Sequence, residues 1–497
     1  MTDHASPHEA PTPHEIDPCE SHHSSQMVSF GTGGWREIIA DGFTRLNVRR
    51  IAQALADRMH REAVADEGIV VGYDRRFLSA EAAWWTVEVL VANQIPVTVI
   101  DRPVPTPTVM WTVLNKDTPY GLCVTASHNP ALYNGIKIFT RGGRDADVRV
   151  TDALTEQVNA LNDDDVQAVD PDTVRSSALV TIQTSINWYL DAIIDSLDME
   201  LIRHRHLHIV LDPMFGVAQT SLQTILMTAR CQVDVINDRR DPLFGGRMPS
   251  PSEGTLDALR NAVIHRHADL GIATDGDADR LGIIDDTGRF LHPNESLVLL
   301  YHYLITTKGW TGPAVRNMST THLLDRVARA HGQQCHEVPV GFKHISAKMA
   351  ETGAVIGGES SGGLTVRGHI PGKDGIYAGS LLVEMVAASN KPLSALHQDL
   401  VDQYGELVMV ERSYRMTTAR RAELERRVFV EHQLPQFPAK VENISWRDGC
   451  KVYFAGDGWI TIRFSGTEPV LRVFCEMPDL EQAQAVLAQV EHLYNLS

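Results

Sequence analysis

From residue 28 onward, short apolar runs alternate with segments whose apolar positions recur at helical spacing. Residues 68–72 and 97–101 are apolar runs of strand length, whereas residues 46–60 and 80–92 are helical in pattern. Helices placed between short apolar strands are typical of a parallel sheet with helices on its faces. The first part of the chain is therefore predicted to form an α/β domain.

The same alternation returns twice further along the chain. The predicted elements are, in order, a strand at 207–212, a helix at 216–229, a strand at 231–236, a strand at Val315, a helix at 320–331, a strand from Val355 and a helix at 375–388. A chain of 497 residues is also too long for a single core. We therefore predict three α/β domains with mixed sheets.

The C-terminal part of the chain has a different pattern. Residues 451–454 and 459–463 are strand-like and flank a Gly-Asp-Gly turn at 456–458, as in a hairpin. Another strand is predicted at 470–476 and a last helix at 480–493. This order predicts a fourth, smaller α+β domain. The expected domains cover residues 27–180, 181–292, 293–405 and 406–497.

The first 26 residues have the composition of a tail. They are rich in Pro, Ser, Glu and His and contain almost no core-forming residues, which predicts disorder. The histidines of this segment either bind a metal ion or belong to a solvated tail, and they are His4, His8, His14, His22 and His23.

Composition and charge narrow the possible partners. Hydrophobic residues make up 43% of the chain and the formal net charge is −18. An acidic surface disfavours nucleic acids and anionic membranes as partners, and an anionic substrate would need a locally basic cleft. Because the sequence has no apolar run of roughly 18 residues and no signal-peptide pattern, we expect a soluble, cytoplasmic protein.

The first loop with candidate chemistry has the sequence Thr-Ala-Ser-His-Asn-Pro at residues 125–130. It places Ser127 between an apolar strand and an Asn-Pro turn, which predicts an exposed, firmly held hydroxyl. His128 is its neighbour, and Lys137 lies on the next strand. A hydroxyl needs a base or a cation to act as a nucleophile or phosphate carrier. The lack of a Gly-x-Ser-x-Gly pattern argues against a serine hydrolase.

The second loop carries three carboxylates at alternate positions, Asp275, Asp277 and Asp279. Three clustered negative charges on one turn can converge on a hard cation through oxygen ligands. A calcium-binding EF-hand is rejected, because Arg280 and Asp286 stand where that loop requires Gly and Glu. We favour Mg²⁺, since few protein ligands leave room for a phosphate oxygen.

The third loop is glycine-rich and covers residues 357–363. Glycines let a backbone approach a ligand closely. Glu359 and Ser361 offer an acceptor and a donor that suit sugar hydroxyls. The loop is therefore a candidate sugar-binding site, with an ordinary flexible loop as the alternative.

The fourth loop combines cationic side chains, hydroxyls and an open backbone. Two arginines and two hydroxyls around a glycine are suited to a phosphate group. The residues are Arg463, Ser465, Gly466, Thr467 and Arg472.

With these four loops in this order, the chain resembles the α-D-phosphohexomutase superfamily, which includes phosphoglucomutases and phosphomannomutases. The resemblance covers nearly all of residues 28–497, and the segment Phe-Gly-Thr-Gly-Gly-Trp-Arg at 30–36 resembles the family's opening segment. It implies four domains in a heart-shaped arrangement around a central cleft. The implied reaction interconverts a hexose 1-phosphate and a hexose 6-phosphate through a bisphosphorylated sugar.

The resemblance also implies a role for each candidate residue. Ser127 is expected to be phosphorylated and to share Mg²⁺ with Asp275, Asp277 and Asp279. A hexose bisphosphate such as glucose 1,6-bisphosphate is the expected activator and intermediate. The other residues expected near the phosphoserine are Arg36, His128, Arg280 and Lys137, the last as a proton-transfer candidate, and Lys343 is expected to line the cleft.

The sequence departs from the family pattern at two positions. Phe464 stands where the family commonly has proline, and Ser360 where many phosphoglucomutases have a second glutamate. Gly362 and Gly363 favour glucose phosphates as substrates, with mannose phosphates as the alternative. An inactive relative that binds sugar phosphates and a phosphatase are the alternatives from other classes.

Overall fold

The computed structural model describes residues 27–31, 33–465 and 470–496. The tail predicted for residues 1–26 lies outside the described residues, and so do Gly466 and Thr467. Within the described residues, no helix has both the length and the apolar character needed to cross a membrane.

The first domain is built on a seven-stranded sheet with the order β1-β5-β4-β2-β3-β7, in which β6 pairs with β5. Its strands are β1 (Trp35–Ile38), β2 (Ile69–Tyr73), β3 (Val97–Ile100), β4 (Tyr120–Val124), β5 (Tyr133–Thr140), β6 (Arg144–Asp145) and β7 (Val180–Gln183). Its helices are α1 (Arg45–Arg61), α2 (Ser79–Ala92), α3 (Thr106–Lys116), α4 (Val148–Ala160) and α5 (Pro171–Ser176). The predicted helices and strands of this region are present.

The second domain has a five-stranded sheet, and its elements follow the alternation seen in the sequence. They are α6 (Ser185–Ser196), α7 (Met199–Arg205), β8 (His208–Asp212), α8 (Ala218–Thr228), β9 (Gln232–Val235), α9 (Asp257–Arg266), β10 (Leu270–Thr274), β11 (Leu281–Asp285) and β12 (Phe290–Leu291). The strand order is β12-β11-β10-β8-β9.

The third domain has a four-stranded sheet with the order β14-β13-β15-β16. Its elements are α10 (Pro293–Thr306), β13 (Ala314–Asn317), α11 (Leu323–Ala330), β14 (Cys335–Val338), α12 (Phe342–Thr352), β15 (Ile356–Gly358), β16 (Leu364–Val366), α13 (Gly375–Ser389) and α14 (Leu393–Tyr404). Helix α11 begins three residues later than predicted. The Thr320 hydroxyl donates to Asn317 at the end of β13, and the Thr321 hydroxyl accepts from the N–H of Leu323, the first residue of the helix.

The fourth domain is an antiparallel sheet with helices, as predicted for a smaller α+β domain. Its elements are β17 (Val408–Arg415), α15 (Thr418–Glu425), a π-helical turn (Arg426–Val430), β18 (Val441–Ser445), β19 (Cys450–Phe454), β20 (Trp459–Phe464), β21 (Val470–Met477) and α16 (Leu480–Tyr494). The strand order is β17-β21-β20-β19-β18, and β19 and β20 form the predicted hairpin.

Each α/β sheet is mixed, and one antiparallel strand pair in each sheet carries one of the candidate loops. These pairs are β4–β5, β10–β11 and β15–β16. The predicted mixed sheets are therefore confirmed. A parallel connection needs a dozen or more residues, and the loops are shorter than that. Each of the three loops therefore joins two neighbouring antiparallel strands directly, where one strand ends and the next begins.

One apolar core extends through the first three domains, whereas the fourth domain has its own core. The shared core includes Val70, Ile272 and Leu381, one residue from each of the three domains. The separate core lies between the C-terminal sheet and α16. The first three loops are thus held in fixed relation to one another, and the fourth domain joins the third through polar contacts that include the buried Lys451.

Candidate active site

Ser127 follows β4 and lies in the left-handed backbone region with φ 53°. Its hydroxyl donates to Asp275 Oδ2 at 2.8 Å and lies 3.4 Å from His128 Nδ1. The side chain is fully buried, so the expected exposure is wrong. The loop that carries the three aspartates packs directly on the serine. Its Gly276 lies so close that an added Cβ would be 2.7 Å from the Ser127 carbonyl oxygen.

Arg76 supports the loop that carries Ser127, and it was not among the site residues predicted from the sequence. Its guanidinium donates to the Ser127 carbonyl at 2.6 Å and to three further carbonyls, those of Asn129, Pro130 and Tyr133. The Phe244 ring of the second domain lies 4.8 Å from the guanidinium carbon. A single buried cation thus fixes the main chain on which the hydroxyl is mounted.

Asp74 and Thr125 complete this support. Asp74 accepts hydrogen bonds from the Arg76 backbone N–H at 2.9 Å and from the Thr125 hydroxyl at 2.7 Å. The Thr125 hydroxyl in turn accepts from the Ser127 backbone N–H at 2.9 Å. The only signal in the sequence was the position of Asp74 and Arg76 at the end of β2, next to β4 in the sheet.

The three aspartates converge beside Ser127, and lysines from two domains form ion pairs with Asp277 and Asp279. Lys137 Nζ lies 2.6 Å from Asp277 Oδ2 and 2.7 Å from Asp279 Oδ2. Lys373, from the third domain, reaches Asp279 Oδ2 at 2.9 Å. Lys373 was not among the predicted site residues.

The pKa values of the cluster diverge because each carboxylate has different neighbours. Burial, followed by the charges of Asp277 and Asp279, raises the pKa of Asp275 well above its ordinary value. Burial also opposes ionisation of Asp279, but Lys137 and Lys373 outweigh it and hold its pKa well below the ordinary value. The site therefore keeps full negative charge at Asp279, between the two lysines.

The carboxylate oxygens of the three aspartates that make no hydrogen bond suit a hard cation. The three carboxylates have ligand atoms within 4.8 Å of one another. Among the described residues, Asp277 Oδ1 and Asp279 Oδ1 are buried without a hydrogen-bond partner. Buried carboxylate oxygens without a partner are costly unless they bind a cation. The donor set, all oxygen, suits Mg²⁺.

Arg36, His128 and Arg280 surround the same cluster. Arg36 Nη1 donates to Asn129 Oδ1 at 3.2 Å, and Arg280 Nε lies 3.9 Å from Asp279 Oδ1. Burial and the charges of Arg280 and Arg36 hold the pKa of His128 well below its ordinary value, so the imidazole is neutral. Arg36 and Arg280 thus place positive charge beside the carboxylates in a chain whose net charge is −18.

The glycine-rich loop 357–363, the candidate sugar-binding loop, is joined to the loop that carries the three aspartates. Leu281 N donates to the Gly362 carbonyl at 3.0 Å, and a Cβ on Gly362, at φ 91°, would meet the Leu281 carbonyl at 2.7 Å. Glu359 accepts from Asn317 Nδ2 at 3.0 Å, and the Ser361 side chain is exposed. Of the two residues expected to bind sugar, Ser361 is therefore exposed and Glu359 is partly buried and held by hydrogen bonds.

The remaining candidates lie on the third and fourth domains. Lys343 is half-buried in the first turn of α12. Arg463 and Arg472 are paired residues on the neighbouring strands β20 and β21. Arg472 is exposed, whereas Ser465 is buried and its N–H donates to the Val470 carbonyl at 2.9 Å.

Family models match most of the chain in four consecutive parts. All four describe phosphoglucomutase/phosphomannomutase domains. They are alpha/beta/alpha domain I at residues 27–165, domain II at 187–288, domain III at 292–404 and the C-terminal domain at 418–493.

Individual relatives extend over nearly the whole chain. A phosphoglucomutase/phosphomannomutase of Thermococcus kodakarensis is 30% identical over 461 residues, which is 92% of this chain and 96% of the relative. A phosphoglucosamine/phosphogalactosamine mutase of Sulfurisphaera tokodaii is 26% identical and covers 93% of this chain and 98% of its own length.

The fold agrees with that of solved structures. The crystal structure of a phosphoglucomutase/phosphomannomutase family protein from Burkholderia thailandensis superposes with a TM-score of 0.78 at 22% identity, covering 94% of this chain and 97% of the other. The family matches, the relatives and the fold all agree. The chain is therefore an enzyme of the phosphoglucomutase/phosphomannomutase family, in the α-D-phosphohexomutase superfamily.

Proposed function

We propose that this enzyme interconverts a hexose 1-phosphate and a hexose 6-phosphate, preferring glucose phosphates, by way of phosphorylated Ser127. The observation that carries the proposal is the Ser127 hydroxyl held 2.8 Å from Asp275 within a buried cluster of carboxylates and cations. Cations offset the charge on phosphate oxygens in the transition state of phosphoryl transfer. The surroundings of Ser127 therefore suit a phosphoryl carrier.

Asp275, Asp277 and Asp279 would hold Mg²⁺ together with an oxygen of phosphorylated Ser127. The bound ion would supply positive charge to the phosphoryl group during transfer. The Oδ1 atoms of Asp277 and Asp279, which have no hydrogen-bond partner in the part of the chain that the structure describes, support this assignment.

In the first transfer, the bond between phosphorus and Ser127 Oγ breaks while a bond forms between phosphorus and a sugar hydroxyl oxygen. The sugar hydroxyl loses one proton and Ser127 Oγ gains one, and Lys137 is our candidate for the proton-transfer group. Arg36, His128 and Arg280 surround the group in transfer. A second transfer from the other end of the bisphosphorylated sugar restores the phosphoserine.

Between the two transfers the bisphosphorylated sugar must turn without leaving the cleft. Glu359 and Ser361 are proposed to hold the sugar hydroxyls in both orientations, and Lys343 to line the cleft. The phosphate that faces away from Ser127 is proposed to bind the fourth domain through Arg463, Ser465, Gly466, Thr467 and Arg472. Glucose 1,6-bisphosphate would then serve as both intermediate and activator.

The preference for glucose phosphates rests on the glycine pair of the sugar-binding loop. A Cβ on Gly363 would lie 2.2 Å from Lys373 Cδ, so any side chain here would displace the lysine that reaches Asp279. By the family resemblance, Gly362 and Gly363 are closer to phosphoglucomutases than to members with Gly-His at these positions. The names of the relatives include amino-sugar mutases, and mannose phosphates are the second candidate.

A coupled assay that compares glucose 1-phosphate, mannose 1-phosphate and glucosamine 1-phosphate tests the proposal. We expect the highest kcat/KM with glucose 1-phosphate. Inorganic phosphate is measured in the same reaction. Release of phosphate at or above the rate of isomer formation would indicate a phosphatase, and no turnover with any substrate would indicate an inactive sugar-phosphate-binding relative.

A further inference from the structure

Asp448 is a carboxylate of the fourth domain that contacts the third domain through one oxygen and Arg463 through the other. Its Oδ1 accepts a hydrogen bond from Arg463 Nε at 3.1 Å. Its Oδ2 accepts from the Val340 backbone N–H at 2.8 Å.

The contact with Val340 continues to the sugar-binding loop. The next residue, Gly341, donates its backbone N–H to Glu359 Oε1 at 3.2 Å. Arg463, the proposed phosphate anchor, is thereby connected through Asp448 and one peptide segment to Glu359, the proposed sugar acceptor. Lys343 follows on the same segment, so three proposed substrate contacts depend on one connection.

The backbone around Asp448 has little freedom. Gly449 has φ 87°, and a Cβ there would lie 2.7 Å from the Ile462 carbonyl oxygen. The turn is therefore pressed onto β20 directly beside Arg463. The side chains of Asp448 and Arg463 are 24% and 22% exposed, so water weakens their attraction only in part.

We propose that Asp448 is a positioning residue that orients Arg463 and ties the fourth domain to the sugar-binding loop, so that the bisphosphorylated sugar stays bound while it turns. This inference rests on the proposed function. An arginine already held by a carboxylate loses less side-chain freedom when it binds a phosphate. The connection matters here because the fourth domain has a core of its own.

The test compares Asp448→Asn with Asp457→Asn. Asp457 also joins the fourth domain to the third, through Arg326 at 2.9 Å, but it makes no contact with Arg463 or the 340–343 segment in the described structure. An amide offers one acceptor where the carboxylate offers two, so Asp448→Asn can satisfy only one of its two donors. Asn also tolerates the positive φ of Asp457.

Two quantities are measured. The first is the affinity for glucose 1,6-bisphosphate by calorimetry in the Ser127→Ala background, where no transfer occurs. The second is the fraction of bisphosphate released per turnover in the otherwise unmodified enzyme. We expect Asp448→Asn to weaken binding and to raise release roughly three- to tenfold, as for one charge-assisted contact at a half-buried site, and Asp457→Asn to change both less than about twofold.

Three results would overturn the role of Asp448. They are unchanged values in Asp448→Asn, equal changes in both variants, and a full effect of Asp448→Asn in an Arg463→Ala background. The last result would show that Asp448 does not act through Arg463. Failure of the proposed function is a different observation, because the unmodified enzyme would then form no isomer.

Discussion

The backbone of Ser127 adopts a conformation that residues with a side chain seldom use, and its neighbours hold it there. A φ of 53° is sparsely populated for such residues. Arg76 binds the Ser127 carbonyl, and Thr125 binds its N–H. Unfavourable backbone conformations of this kind persist where several surrounding contacts hold them in place. The position of the hydroxyl is therefore set by main-chain contacts on both sides of it.

Ser127→Ala removes the proposed phosphoryl carrier, and mutase turnover should fall by several orders of magnitude. Intact-mass analysis of the unmodified protein should show a fraction heavier by one phosphate, with the modification on Ser127. The control is Ser221→Ala, a buried serine of α8 whose hydroxyl binds the Ala218 carbonyl, and it should remain active. Turnover near the normal rate in Ser127→Ala would rule out the phosphoserine mechanism.

Arg76→Lys replaces a planar donor that binds four carbonyls with a single ammonium group. In a single-turnover experiment, transfer to glucose 1-phosphate should slow roughly tenfold or more per phosphorylated enzyme, since a misplaced serine loses its geometry. Because the rate is calculated per phosphorylated enzyme molecule, misfolded protein that carries no phosphate does not affect it. The control is Arg75→Lys, whose arginine binds the Asp238 carbonyl and Gln219. Equal slowing in both variants would contradict a specific role for Arg76.

Asp277→Asn should remove the stabilisation that Mg²⁺ gives to the folded protein. An ion that binds only the folded state adds about 1.4 kcal/mol when its concentration is tenfold above Kd. Thermal unfolding is measured in chelator and in Mg²⁺ for the unmodified protein, Asp277→Asn and the control Asp286→Asn. Asp286 lies outside the cluster and binds Ser394. An equal Mg²⁺ response in all three proteins would contradict the assignment of the site.

At the scale of elements, β19 attaches the fourth domain to the third by inserting a buried lysine. Lys451 Nζ binds Glu337 Oε2 at 2.6 Å and the Met318 carbonyl at 2.7 Å. Trp459 covers it, with its ring centre 4.4 Å from the ammonium group. Burial, followed by the charge of Arg316, lowers the pKa of Lys451 to about 7. The effect of Lys451 on the free energy of unfolding therefore depends on pH.

The lowered pKa of Lys451 predicts how stability changes with pH. An unfolded lysine titrates near 10.5, so between pH 7 and pH 10 the unfolded chain binds more protons than the folded one. The contribution of Lys451 to the free energy of unfolding therefore rises with pH in this interval and is lost as pH falls through 7. Unfolding midpoints from pH 6 to pH 9 should rise more steeply in the unmodified protein than in Lys451→Met. Parallel curves would contradict the assignment.

At the scale of the whole molecule, the candidate site needs loops from all four domains, but only three of these domains share a core. A ligand with two phosphates would add contacts between the fourth domain and the rest. Such contacts exist only in the folded, assembled chain, so binding should suppress local opening of the fourth domain.

Glucose 1,6-bisphosphate at a hundredfold excess over Kd should stabilise β20 and β21 by up to about 2.7 kcal/mol. Hydrogen exchange of peptides from these strands is measured in the Ser127→Ala background with and without the ligand. Glucose without phosphates is the control and should leave their exchange unchanged. Protection limited to the first three domains would contradict the proposed phosphate anchor.

Local information in the sequence was sufficient for many of the strands and helices and for the loop of three aspartates. The strands and helices follow from apolar periodicity, because each element buries one face or stripe. The three aspartates were recognised because their carboxylates alternate within five residues, 275–279. The family resemblance then related Arg36, Lys343 and Glu359 to the same cleft.

Only the tertiary structure decided which distant groups meet at Ser127. Arg76 binds backbone carbonyl oxygens. Because every residue has a carbonyl oxygen, no pattern of residue types could predict this contact. Lys373 reaches Asp279 across a domain boundary, and Asp448 reaches the Val340 N–H in the same way. Ser127 is buried rather than exposed because Gly276, 149 residues further along the chain, packs on its carbonyl. Contacts between residues far apart in sequence depend on how the domains pack, and periodicity and spacing along the chain contain no information about that packing.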